Sequence, residues 1–72
     1  MQHYLDVNGD SGVEFYEIGP DYIDVKFKRG SVYRYSYEIA GKHHVENMKA
    51  LAKSGDGLNS YIMRNVRKLY DK

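Results

Sequence analysis

Apolar and polar residues alternate most cleanly between Tyr22 and Lys28. Ile23, Val25 and Phe27 fall on one side, and Tyr22, Asp24, Lys26 and Lys28 on the other. Period two marks a strand with one covered face. Val32 to Ile39 follows with Tyr33, Tyr35 and Tyr37 at every second position and reads as another strand. Upstream, Gly12 to Ile18 reads as the first of three. Its apolar residues Val13, Phe15, Tyr16 and Ile18 change parity midway, which predicts a bulge or two covered faces. Gly19-Pro20-Asp21 is the turn between the first two, because proline presets φ and aspartate supplies local turn hydrogen bonds.

The second turn can be argued by register. A two-residue loop at Arg29-Gly30 would set Val25 beside Arg34 and Lys26 beside Tyr33, mixing apolar and charged side chains on both faces. A three-residue loop, Lys28-Arg29-Gly30, sets Val25 against Tyr33 and Ile23 against Tyr35, with Phe27 on the same face. Asp24 then meets Arg34, and Lys26 meets Val32, on the other. A one-residue slip turns every side chain over, so the second register is the expected one. Gly30 would occupy the left-handed position of a type I turn with a G1 bulge.

The period then changes. Val45, Met48, Leu51 and Ala52 form a stripe at helical spacing from Lys42 to Lys53. Gly55 is the expected residue after its end. Asp56 is a candidate cap for a second helix reaching to Tyr70, with Leu58, Tyr61, Ile62, Val66, Leu69 and Tyr70 as its apolar face. The expected fold is α+β: a three-stranded antiparallel sheet followed by two C-terminal helices packed on one face. Residues 1–11 read as a loose arm or a short strand and turn, and 12–72 as a single domain.

Seventy-two residues give a thin core. There is no cysteine, so neither a disulfide nor a thiolate metal site can staple it; this fits a cytoplasmic protein. No apolar run approaches the roughly 18–20 residues of a membrane helix and no signal peptide is visible, so no membrane partner is expected.

The net charge of +1 conceals an asymmetry. Residues 1–25 hold six acids and no lysine or arginine; residues 26–72 hold all eleven Lys and Arg against four acids. One reading is internal pairing between the acidic beginning and its basic neighbours. The other is a basic face open to an anionic partner. A continuous basic patch joining the hairpin tip to the second helix would favour the latter.

Phe27, Gly30 and Tyr33-Arg34-Tyr35, together with Ile18-Gly19, Val45, Ala52-Lys53-Ser54-Gly55, Leu58-Asn59 and Ile62, resemble the KTSC family. That domain is named for the C-terminal end of certain lysyl-tRNA synthetases and also occurs alone in small bacterial proteins. The resemblance covers about residues 11–66. Ile39-Ala40 stands where the family carries a hydrophobic-proline pair, and Gly57-Leu58-Asn59 where it carries an aromatic-Phe-Asn. The resemblance implies this fold and no established activity. An RNA role is suggested only by the company the domain keeps.

Candidate chemistry is sparse. Tyr33, Tyr35 and Tyr37 suit either a stacking platform for bases or, by the register above, core packing for the first two. Arg64, Arg67 and Lys68 complement the negative end of the second helix or contact phosphate. Lys26, Lys28 and Arg29 line the sheet and hairpin tip, and Arg34 is expected to pair with Asp24. Asp6 to Glu17 resembles a calcium loop, with acids or amides at positions 1, 3, 5, 9 and 12. Ser11 stands where the sharp turn wants glycine, and the flanks are not helical. His43-His44 are adjacent, so on a helix they point about 100° apart, as metal ligands would not. Asp24 and Glu14 have no evident shared cleft.

The expected function is therefore non-catalytic, without cofactor or metal. It is a weak interaction with RNA, tRNA included, or another nucleic acid through Lys26, Lys28, Arg29, Arg64, Arg67 and Lys68. The alternative is a protein-interaction or accessory module of a bacterial or phage protein, using an edge strand or the acidic first segment.

Overall fold

The computed structural model describes residues 1–7, 9 and 11–71. Its sheet has four antiparallel strands in sequence order: β1 (Gln2–His3), β2 (Val13–Ile18), β3 (Tyr22–Phe27) and β4 (Val32–Ser36). Two helices follow, α1 (Lys42–Ser54) and the short α2 (Leu58–Tyr61), the second continuing into a π-helical turn over Ile62–Val66. None of the described helices is long and apolar enough to cross a membrane.

The α+β class and the antiparallel sheet agree with expectation, but the strand count was one short. Gln2 pairs with Tyr16 and His3 with Phe15, so the beginning of the supposed arm is an edge strand. Two polar residues carry no periodicity, which is why only the alternative of a short strand pointed to it. Tyr4 fixes the segment: its side chain is buried, and its hydroxyl accepts a hydrogen bond from the Leu58 N–H at 3.3 Å.

The β3–β4 register is the expected one. Ile23 lies opposite Tyr35, Asp24 opposite Arg34, Val25 opposite Tyr33 and Lys26 opposite Val32. The parity change in β2 is a register irregularity between Val13 and Phe15, which keeps Val13 and Tyr16 both in the core.

Other boundaries need correction. Gly30 is not in the left-handed region; its N–H donates to the Phe27 carbonyl at 3.2 Å, closing a turn with Lys28 and Arg29 at its centre. The third predicted strand ends at Ser36 rather than Ile39, because the Ala40 and Gly41 N–H groups turn back to the Ser36 and Tyr37 carbonyls. Asp56 does not cap α2: Gly57 precedes the helix and no side chain caps it. The second helix stops at Val66 rather than Tyr70, and the last residues return to the sheet. The Asp71 N–H donates to the Arg34 carbonyl at 2.7 Å.

The helices cover the sheet face that carries Ile23, Val25 and Tyr35. Val45, Met48 and Ala52 from α1, then Leu58, Ile62 and Val66, complete one buried cluster. Those last three residues stand four apart. In an α-helix such a row drifts by roughly 40° per step. A wider π turn reverses the drift, so the turn over Ile62–Val66 keeps all three on the sheet. Gly55 ends α1 at φ 75°, as expected for a residue in that place.

Candidate nucleic-acid interface

A pocket of about 650 Å³ opens between the β3–β4 hairpin and the end of the second helix. The hairpin contributes Phe27, Lys28, Arg29, Gly30, Tyr33 and Tyr35. The helix end contributes Met63, Arg67 and Lys68, the returning tail contributes Tyr70, and Gly12 closes one side. Strand alternation places Phe27, Tyr33 and Tyr35 on the helix-covered face. The helix ends before it covers the hairpin tip, so Phe27 and Tyr33 remain half-buried while Tyr35 is sealed.

The aromatic walls meet edge to face. Ring centroids are 5.8 Å apart for Phe27 and Tyr33, 4.7 Å for Tyr33 and Tyr70, and 6.3 Å for Tyr35 and Tyr70. Such geometry matches positive ring edges with negative faces. Burial, with Tyr33 and Tyr70 beside it, pushes the Tyr35 hydroxyl up to about 12.

The pocket brings together four of the six basic residues singled out from sequence: Lys28, Arg29, Arg67 and Lys68. Lys28 also pairs with Asp6 at 3.2 Å. Arg29, Arg67 and Lys68 form no ion pair with a described residue. The remaining two lie elsewhere. Lys26 is on the opposite sheet face, 2.8 Å from Glu14, and its hydrogen bond holds the Glu14 carboxyl below the usual range. Arg64 is exposed but does not line the pocket.

Both readings of the charge asymmetry are therefore visible. Asp6–Lys28, Glu14–Lys26 and Asp24–Arg34 each join the acidic beginning to the basic remainder. Of the described basic residues outside these ion pairs and that of Lys49, Arg29, Arg67 and Lys68 line the pocket, whereas Lys42, Lys53 and Arg64 do not.

The tyrosines divide. Tyr35 is core. Tyr33 is a core side chain whose remaining surface faces the pocket. Tyr37 lies away from it, donating to Glu46 at 2.5 Å. Met63 lines the pocket although it falls outside the apolar stripe expected of the second helix, and Tyr70, expected on that helix, lies four residues beyond its end. The polar run Arg67-Lys68 before Leu69 offered no signal of that stop.

The calcium reading of Asp6 to Glu17 depends on Asn8 and Asp10, which lie outside the described residues. Glu14 and Glu17 sit on β2, with Lys26 and the N-terminal ammonium as partners. His44 meets the Tyr61 hydroxyl at 2.7 Å, and Asn47 donates to that hydroxyl at 3.2 Å. Among the described residues no three His, Asp or Glu side chains are grouped to hold a metal ion. Asp24 and Glu14 are engaged by Arg34 and Lys26 respectively.

No protein-family model, curated protein or solved structure matches the chain.

Proposed function

We propose that this protein is a small non-catalytic module that binds single-stranded nucleic acid, RNA foremost, across the pocket between the hairpin and the helix end. One observation carries the reading. Lys28 and Arg29, and Arg67 and Lys68, are nearly forty residues apart in the chain and line one aromatic-walled pocket. Cations beside exposed aromatic surface are the combination that single strands use: phosphates meet charge and bases meet rings. The resemblance to the KTSC family, a domain carried by some enzymes that handle tRNA, agrees with it. A cytoplasmic setting belongs to the same proposal and is supported by the lack of cysteine.

The protein-interaction alternative draws less support. Asp6, Glu14, Glu17 and Asp24 of the acidic segment each have a partner, and Asp71 bridges the outer edge of β4.

The test is fluorescence anisotropy with single-stranded RNA at about 50 mM salt, where phosphate contacts are weakly screened. Binding should weaken with salt at a log–log slope of about −0.7 per phosphate held. Charge reversal at Arg67 and Lys68 should remove most of it. Absence of binding at that salt overturns the proposal.

A further inference from the structure

The pocket differs from a flat basic surface in ways that bear on what part of a strand it holds. Its volume of about 650 Å³ lies within the usual range for small-molecule sites. A duplex cannot enter a concavity of that size, whereas a planar group a few ångströms thick can. The interplanar angles among its rings are 64°, 64° and 79°. None of these pairs is a parallel stack, so no ring is covered face to face by its neighbour. Tyr33 and Tyr70 also keep exposed surface.

The charges are arranged around this wall in two pairs. Lys28 and Arg29 stand on the hairpin tip, and Arg67 and Lys68 beyond the end of the helix, with the aromatic rings lining the space they share. A nucleotide within a strand has the complementary form: one planar base with a phosphate on each side.

We propose that the pocket captures one unstacked nucleobase of a single strand, with the hairpin pair and the helix-end pair holding the phosphates that flank it. This rests on the nucleic-acid reading above and adds to it a base-dependent component that charge alone would lack. Stacking on an aromatic side chain is sequence-tolerant, because every base offers a π-face, so the captured base need not be of one kind.

The experiment compares a short single-stranded oligoadenylate with an abasic ribose-phosphate strand of equal length and charge, on the unaltered protein. The intact strand should bind about 5- to 150-fold more tightly, the range that stacking of one base provides. Tyr70→Ala should bring the two affinities close together, with the fold checked by circular dichroism. Equal binding of both strands to the unaltered protein overturns base capture while leaving charge-driven RNA binding in place. Binding of neither overturns the nucleic-acid reading itself. A folded Tyr70→Ala variant that keeps the full preference overturns the pocket as the place of capture. Displacement of the strand by an equal concentration of adenosine 5′-monophosphate would overturn the flanking-phosphate arrangement, since a free nucleotide carries only one of the two.

Discussion

Tyr70 stands edge-on to Tyr33, 4.7 Å between ring centroids, although it lies beyond the last helix and thirty-seven residues further along the chain. The contact is held from the next residue: Asp71 donates its N–H to the Arg34 carbonyl, and its carboxylate accepts the Ser36 hydroxyl at 2.7 Å. The tail is thus both the outer support of β4 and one wall of the pocket.

Replacing that wall has a structural and a functional consequence. Tyr70→Ala removes two edge-to-face ring pairs, each worth about 0.5–1.5 kcal/mol. Chemical denaturation should show a loss of about 1–2 kcal/mol, since Tyr70 is only half-buried. Tyr70→Phe keeps the rings and should change stability by less than about 0.5 kcal/mol.

Glycine substitutions separate the observed turn from the expected one. A G1 bulge at Gly30 would make Gly30→Ala costly. Here Gly30 lies outside the left-handed region, and an added Cβ would meet only the Phe27 Cβ at 3.6 Å. Gly30→Ala should therefore be neutral to within about 0.5 kcal/mol. Gly55→Ala should cost about 1–3 kcal/mol, because φ is 75° and the new Cβ would stand 2.6 Å from that of Leu5. Thermal unfolding of the two variants should rank them in that order.

Much of the fold was legible because the period-two pattern of 22–28 permits one register only, and the stripe Val45-Met48-Ala52 permits one helix face. Interactions without a period were not legible. Gln2 and His3 form a strand because Tyr4 is anchored under α2. Tyr70 leaves the helix because Asp71 pairs with Arg34. A basic patch joining the hairpin tip to the second helix was one possibility, but which cations meet there, Lys28, Arg29, Arg67 and Lys68, depends on where that helix stops. Lys26 illustrates the converse. Its alternation placed it on the outer face, and there Glu14 holds it.

Asp24 is the buried charged side chain among the described residues. It accepts hydrogen bonds of 2.8 and 3.1 Å from Arg34, whose guanidinium lies 3.9 Å over the Tyr22 ring. Removing only Arg34 strands a carboxylate in a site it cannot easily leave. In a double-mutant cycle, Arg34→Ala should therefore lower the unfolding midpoint more in the presence of Asp24 than when Asp24 is already alanine.

Stability should fall at both ends of the pH scale, for different residues. The folded chain keeps the Tyr35 proton to about 12 against an ordinary value of 10.0. In that window the folded state binds more protons. The stabilisation is thus complete below pH 10 and lost as pH rises toward 12. Glu14 has the opposite sign. Lys26 lowers its carboxyl below the usual 4.5, so its contribution is present above that value and lost as pH falls through the lower folded one. Thermal midpoints measured across pH should show a flatter alkaline limb in Tyr35→Phe and a flatter acid limb in Glu14→Gln.

Binding across the pocket can be read residue by residue in an NMR titration of the ¹⁵N-labelled protein with single-stranded RNA. Amide shifts should concentrate at 27–33 and 66–71, the two segments that meet at the pocket. Shifts confined to the opposite sheet face around Glu17, Asp24 and Arg34, or spread evenly over every basic residue including Lys26 and Lys53, would contradict it.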